Sequence, residues 1–254
     1  MQIPLAASDG ELLLDAAIFW PVDARQEQPR PTIVFSHGSP LTRAERRRMT
    51  TLDESWAIQW FVARGYVVVA ALRRGFGASQ GSFAEGLDRE HYDYERAGRV
   101  AAVDIRAVLR FAASRPGVDP ARIVLAGHSA GGFGSLALAS EGVPVRGVIN
   151  FAGGKGAQLL GAGPPYTTAI ASAAGEYGRT CRVPSLWIYA TNDKWFAPPI
   201  ATAMFDAYRS GGAPANLLRL PSVGDDGHSL FTAEAVNLWS FAAEQFLREI
   251  GMGG

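Results

Sequence analysis

Gly127, Ser129 and Gly131 stand in the spacing Gly-x-Ser-x-Gly, directly after the apolar run 122–126. A serine hydroxyl acts as a nucleophile when a sharp turn between a strand and a helix exposes it and a base accepts its proton. The glycines fit such a turn because its two arms approach each other too closely for side chains. The pattern therefore predicts a covalent catalyst with Ser129 as its nucleophile.

Two further polar residues follow later strands in a suitable order. Asp193 comes just after the apolar run 185–190, and His228 lies in the loop that follows the run 216–220. The hydroxyl needs an imidazole to take its proton, and the imidazole needs a carboxylate that fixes its tautomer. We expect Ser129, His228 and Asp193 to act as nucleophile, base and acid, with the pKa of His228 near the ordinary value of about 6.5 and raised by Asp193.

Alternatives to this acid remain open. Asp225 and Asp226 adjoin His228 and are rival acids, although residues so near in sequence more naturally shape the loop. The alternative for Asp193 is a structural role as an N-cap, in which its side chain accepts backbone N–H groups at the start of the helix near Pro198.

An early strand, 32–36, runs into the turn His37-Gly38-Ser39-Pro40. Acyl transfer develops a negative charge on the carbonyl oxygen, which two backbone N–H groups must stabilise. We expect these amides to be those of Ser39 and Ala130, with Gly38 allowing close approach and His37 ordering the loop rather than acting as a base.

Aromatic residues near these motifs are candidates for a substrate pocket, with ordinary packing under loops as the alternative for each. Phe76 belongs to a long loop after the second parallel strand, and two aromatic residues follow Asp193 directly. The stretch 153–182 is predicted to be a short lid insertion that leaves the site open. The candidate lining residues are His37, Phe76, His128, Trp195 and Phe196.

The elements that must position these residues alternate between strand and helix from Thr32 onward, which predicts an α/β fold with a doubly wound, mostly parallel sheet. An antiparallel hairpin turning at Asp9-Gly10 precedes this sheet. We expect a single domain over 1–254. Parallel strands are predicted near 32–36, 66–72, 122–127, 146–152, 185–190 and 216–220, and helices near 54–64, 96–115, 130–140, 197–211 and 231–250.

Over nearly its whole length the chain resembles the α/β-hydrolase superfamily, and within it is similar to the dienelactone-hydrolase-like branch of single-domain serine esterases. The dienelactone hydrolases themselves use a cysteine nucleophile, whereas this chain has Ser129 there and its lone cysteine, Cys181, lies elsewhere. The resemblance implies plain ester hydrolysis rather than dienelactone hydrolysis. It is carried by His37-Gly38-Ser39-Pro40, by the run 73–79, by the run 127–132, by Asn192-Asp193 and by Asp226-Gly227-His228.

The composition limits the kinds of partner and cofactor that the chain is expected to bind. The chain has 24 Lys+Arg and 24 Asp+Glu, so no broad field favours nucleic acid or an anionic membrane. Four histidines scattered singly and one cysteine predict neither a metal site nor a disulfide, and we expect no cofactor. No apolar stretch approaches the roughly 20 residues of a membrane span. Cytoplasm is the expected compartment, although a secreted chain that has lost its targeting segment would look the same.

The expected function is hydrolysis of small or medium neutral carboxylic esters, by a monomer or homodimer. A hydrolase of short peptides or amides is the alternative with the same triad, and a cofactor-free perhydrolase side activity is a further one. A non-catalytic ligand-binding protein on the same scaffold predicts a broken triad, whereas all three residues are present here.

Overall fold

Eight strands form one sheet in the computed structural model, which describes residues 1–7, 10–24, 28–87, 92–156 and 164–253. The strand order is β1-β2-β4-β3-β5-β6-β7-β8. The strands are β1 Gln2–Ala7, β2 Gly10–Phe19, β3 Arg30–Ser36, β4 Val67–Ala71, β5 Val118–His128, β6 Gly147–Phe151, β7 Ser185–Ala190 and β8 Ala215–Leu220.

From β4 to β8 along this order, neighbouring strands are parallel. The central strands are continuous runs of apolar residues because helices cover both faces. The β1–β2 pair is antiparallel, with Ala7 opposite Gly10, and β2 pairs antiparallel with β4. The predicted fold class is confirmed; of the predicted turn, Asp9 lies outside the described residues.

Helices of the described residues form two groups. Helices α3 to α6 contact one another in succession, and α2 contacts α7, where the rings of Trp60 and Trp239 lie 4.9 Å apart. The helices are α1 Arg43–Arg48, α2 Ser55–Val62, α3 Tyr94–Ala113, α4 Ala130–Ala139, α5 Pro164–Thr180, α6 Pro198–Ser210 and α7 Ala233–Glu249.

The stretch predicted as a lid contains α5, which belongs to the helical layer. Ile170 and Tyr177 of this helix are fully buried, and the Tyr177 hydroxyl donates a hydrogen bond to the Glu95 carbonyl of α3 at 2.8 Å. Residues 157–163 of the predicted lid lie outside the described part. None of the described helices is long and apolar enough to cross a bilayer.

Because β3, β5, β7 and β8 run parallel, the segments that follow them emerge at one edge of the sheet. His37, Ser129, Asp193 and His228 all lie in or just beyond these carboxyl ends. The topology therefore brings residues that are up to 191 positions apart to one place.

Candidate active site

Ser129 lies between β5 and α4 with φ 52° and ψ −121°, a backbone conformation that non-glycine residues rarely adopt. A Cβ atom on Gly127 would lie 2.5 Å from the Gly131 carbonyl carbon, and one on Gly131 would lie 2.2 Å from the Ser36 oxygen. The two glycines are therefore required, and they let β5 turn sharply into α4 with Ser129 at the apex.

The fully buried carboxylate of Asp193 faces the ring of His228, with 3.2 Å between Oδ2 and Nδ1. Its other oxygen accepts the backbone N–H groups of Trp195 and Phe196, each at 2.8 Å. These bonds fix the carboxylate, which holds the proton of His228 on Nδ1 and leaves Nε2 as an acceptor. Asp193 does not cap α6, whose N-cap is Ala197.

Asp226 is the neighbour of His228 in the loop, and it bonds to backbone rather than to the imidazole. Its Oδ1 accepts the N–H groups of His228 and Lys194, each at 3.0 Å. It therefore shapes the loop that carries His228, as sequence proximity suggested.

The pKa of His228 lies below its ordinary value, contrary to the expected increase. Burial of the His228 ring is the main cause of the lower pKa; the hydrogen bond that the ring donates to Asp193 opposes it, and the charge of nearby His128 adds to it. The expectation was wrong because it weighed the carboxylate and left out desolvation of the ring.

Trp195 connects the surroundings of Ser129 with those of His228. The indole of Trp195 lines the cavity beside Ser129 and stacks on the ring of His228, with 5.4 Å between ring centroids. Within the described residues, Ser129 Oγ has no hydrogen bond to His228.

Ser39 and Ala130, whose backbone amides were expected to hold the oxyanion, line the same cavity. Neither amide has an acceptor among the residues that the structure describes. Gly38 allows this close approach, since a Cβ there would lie 3.1 Å from His128 Nδ1 and 3.4 Å from Ser129 Cβ. The pair can stabilise a developing oxyanion.

His37 is buried just before these amides, and its hydrogen bonds define its tautomer. The backbone N–H of Arg73 donates to Nε2 at 3.0 Å, so Nδ1 carries the proton and donates to the Gly38 carbonyl at 2.6 Å. Burial and the charge of Arg73 hold the pKa of His37 well below its ordinary value. The ring is thus a neutral brace for the oxyanion loop.

His128 precedes the serine, and both of its ring nitrogens face acceptors. Nδ1 lies 3.0 Å from the Glu54 carboxylate, and Nε2 lies 2.9 Å from the carbonyl oxygen of His228. A neutral imidazole donates from one nitrogen only, so both bonds require the imidazolium. Burial opposes that charge, but Glu54 and the two bonds outweigh burial and raise the pKa of His128.

The cavity at Ser129 has a volume of about 250 Å³. Trp195 lines it as expected, whereas His37, Phe76, His128 and Phe196 do not. Phe76 is fully buried with its ring 4.6 Å from that of His37, and Phe196 packs against His228 at 5.5 Å. The lining residues are Ser39, Pro40, Leu41, Arg46, Phe83, Glu85, Gly86, Leu87, Ser129, Ala130, Gly154, Lys155, Gly156 and Trp195.

Three buried charges behind and within this lining were not predicted: Arg73, Glu85 and Lys155. The Arg73 guanidinium donates to the Ser36 hydroxyl at 2.8 Å and to the His37 carbonyl at 2.7 Å, and it pairs with Glu85. Lys155 also pairs with Glu85. Burial alone would raise the pKa of Glu85, but the two cations hold it well below its ordinary value.

Comparisons with known proteins agree with this architecture. A model of the alpha/beta hydrolase family matches residues 33–249. A non-heme chloroperoxidase of Burkholderia pyrrocinia is 34% identical over 116 residues, which cover 44% of this chain and 38% of the relative. The chain thus matches well under half of that protein's length.

Within the described residues, no cluster of three or more metal-ligating side chains is found.

Two solved structures share the fold at low identity. Est1E from Butyrivibrio proteoclasticus, bound to ferulic acid, superposes with a TM-score of 0.68 at 19% identity, covering 98% of each chain. Thermogutta terrifontis esterase 2, phosphoramylated by tabun, gives a TM-score of 0.61 at 20% identity, covering 98% of this chain and 93% of the other.

Proposed function

Because this chain belongs to the alpha/beta hydrolase family, we propose that it is a serine carboxylic-ester hydrolase in which Ser129, His228 and Asp193 act as nucleophile, base and acid. The observation that carries the proposal is the buried Asp193–His228 pair at 3.2 Å, set beside a strained serine and two amides without an acceptor among the described residues. This set matches the requirements of acyl transfer.

In the proposed reaction, His228 Nε2 takes the proton of Ser129 Oγ as the oxygen attacks the acyl carbon. The N–H groups of Ser39 and Ala130 hold the negative oxygen of the tetrahedral intermediate. His228 returns the proton to the departing alcohol, leaving an acyl group on Ser129. Water then attacks the acyl carbon with His228 as base, and the acid is released.

A cavity of about 250 Å³ supports small or medium esters as substrates. The esterase neighbours share the fold and are consistent with this substrate class. We further propose a single domain, which is supported by one cluster of buried side chains that extends from Ile3 to Met252. The dienelactone-hydrolase-like branch, the cytoplasmic location and a monomeric or homodimeric state stay predictions.

Perhydrolysis is a second candidate, favoured by the identity with a protein named a non-heme chloroperoxidase. In that reaction hydrogen peroxide replaces water as the attacking group on the acyl-enzyme. The products are a peroxy acid and free Ser129, and His228 accepts the peroxide proton. Peroxy-acid formation from an ester and hydrogen peroxide, assayed beside hydrolysis, measures how the acyl-enzyme partitions.

A fluorophosphonate probe tests the proposed nucleophile. We expect mass spectrometry to find the label on Ser129, to find none in Ser129→Ala, and to find it retained in a control, Ser82→Ala, at an exposed serine. Labelling of Ser129→Ala at the wild-type rate would contradict the proposal. Rates on p-nitrophenyl esters and aminoacyl anilides then separate an esterase from an amidase, while a folded protein that shows neither label nor turnover would be a binding protein.

A further inference from the structure

Arg73, Glu85 and Lys155 place two cations and one carboxylate in the interior, and Glu85 and Lys155 also line the cavity. Their exposed fractions are 2%, 2% and 7%. Charges this deeply buried are costly unless each is paired. The three side chains, two cations and one carboxylate, therefore carry one net positive charge together.

The guanidinium of Arg73 donates its hydrogen bonds to acceptors of the protein itself. It donates to Ser36 and to the His37 carbonyl and pairs with Glu85 through both Nε and Nη2. A two-point pair of this kind matches guanidinium to carboxylate in charge and shape. The unmatched charge is accordingly that of Lys155.

The ammonium of Lys155 has three N–H donors, and among the described residues it has one hydrogen-bond acceptor, Glu85 Oε2. Phe83 is also close, with its ring centroid 5.5 Å from Nζ. A second cation, the half-buried Arg46, lines the same cavity, and Glu85 is the one acidic residue among the described residues of the lining. The described side chains of the lining are therefore positive in sum.

The backbone at Lys155 also lies close to Ser129. The backbone N–H of Gly154 donates to the Ser129 carbonyl at 3.1 Å, and Lys155 is the next residue along the chain. Ser129 and Lys155 also line the same cavity, so one substrate molecule can contact both.

We propose that Lys155 binds a carboxylate of the substrate, so that the preferred ester is anionic rather than neutral; this rests on the proposed ester hydrolysis. One carboxylate matches the positive charge that Lys155 adds to the buried group. This substrate class replaces the neutral esters expected from the sequence.

The test compares matched esters in two series. For the acyl side, 4-nitrophenyl hydrogen glutarate is compared with 4-nitrophenyl pentanoate; for the alcohol side, 3-carboxyphenyl butanoate is compared with phenyl butanoate. The measured quantity is the ratio of kcat/KM for the anionic ester to that for the neutral ester. In at least one series, we expect Lys155→Met to lower this ratio by tenfold or more.

Lys194→Met is the matched control, since Lys194 is the chain's other lysine and is exposed outside the cavity. It should keep both ratios within twofold of wild type, and Lys155→Arg should keep most of the preference. Ratios that stay unchanged in both series for Lys155→Met would overturn the proposal.

A binding measurement separates this proposal from the proposed reaction and does not require Lys155→Met to fold. Ser129→Ala protein, which cannot turn over, is titrated calorimetrically with monomethyl against dimethyl glutarate for the acyl side, and with 3-carboxyphenyl against phenyl butanoate for the alcohol side. In at least one of the two pairs, we expect the anionic ester to bind at least tenfold more tightly. Equal affinities within both pairs would overturn the carboxylate site even if wild type hydrolyses esters, whereas tight binding of an anionic ester without turnover in wild type would refute only the reaction.

Discussion

Two buried histidines lie beside Ser129, and their surroundings give them different charge states. His37, on the proposed oxyanion side formed by the loops after β3 and β4, receives an N–H from Arg73, and its lowered pKa favours the neutral ring. His128, on the proposed base side formed by the loops after β7 and β8 with Glu54, has an acceptor at each ring nitrogen, and its raised pKa favours the cation.

Burial lowers the pKa of both rings, so the difference shows that the Glu54 carboxylate and the two acceptors decide the charge of His128. It also shows that the two sides work differently. The oxyanion side positions backbone N–H groups through a neutral brace, whereas the base side uses carboxylates aimed at imidazoles. Changes on the base side should therefore alter pH dependence, and changes on the oxyanion side should not.

The largest expected effect is on the base side. Asp193→Asn should lower kcat by roughly 10³- to 10⁴-fold, because an amide facing Nδ1 favours the wrong tautomer of His228. Asp226→Asn removes a carboxylate that accepts hydrogen bonds only from backbone N–H groups. Its kcat for ester hydrolysis, measured in the same assay, should stay within about threefold of wild type. The reverse order would move the acid to the loop of His228.

On the oxyanion side, His37→Leu should lower kcat by about 10- to 100-fold with less change in KM, since the brace for the Ser39 amide is lost. The loss should be equal across pH 6 to pH 9 because the ring does not titrate there. His37→Gln, which keeps a donor and an acceptor, should recover part of the rate. A shifted apparent pKa in His37→Leu would contradict the neutral brace.

The dependence of kcat/KM on pH should report the titration of two histidines on the base side, His228 and His128. We expect kcat/KM to rise through an apparent pKa below about 6.5 as His228 loses its proton, since burial lowers the pKa of that base. We expect kcat/KM to fall above pH 6.5 as His128 loses the proton that bonds the His228 carbonyl, because Glu54 raises that pKa. The two rings lie 4.8 Å apart, so these values belong to the pair.

In the same assay, Glu54→Gln removes the carboxylate that raises the pKa of His128, so the alkaline fall should move to lower pH. Activity at pH 8 should then drop by about 3- to 10-fold, because less of His128 is protonated there. Asp53→Asn, at the exposed neighbouring carboxylate, is the matched control. An alkaline limb that does not move would mean that His128 does not titrate there.

The smallest effect concerns stability. Ser36→Ala removes the buried hydroxyl that accepts from Arg73 on the oxyanion side, and should lower the free energy of unfolding by about 1–2 kcal/mol. Ser222→Ala removes an exposed hydroxyl that is 3.3 Å from Thr191 on the base side, and should change it by less than about 0.5 kcal/mol. Urea unfolding curves at pH 7 measure both.

Local patterns were enough to predict the sheet and the positions of Ser129, Asp193 and His228. Buried strands are apolar runs, and the segments that follow parallel strands converge on one edge. The partners that set charge were not predictable in this way. Glu54 lies 74 residues from His128, and Glu85 lies 70 residues from Lys155, so no local spacing signals either pair.

The pocket was predicted least well, for a related reason. Aromatic residues were assigned to it because of their proximity in sequence, but Phe76 and Phe196 are fully buried and brace the histidines instead. Whether a side chain faces a cavity or supports its wall depends on tertiary packing. Arg73, which carried part of the family resemblance, turned out to fix the oxyanion loop through Ser36 and His37.

The backbone conformation of Ser129 has a consequence for how such a protein evolves. Strain at φ 52° costs of order 1–3 kcal/mol, and a glycine at this position would largely relieve it. We therefore expect a chain with glycine at 129, which lacks the proposed nucleophile, to be more stable than the chain with serine. Selection for thermal resistance alone would favour loss of the hydroxyl, so the serine persists only where natural selection or a laboratory screen rewards its reactivity.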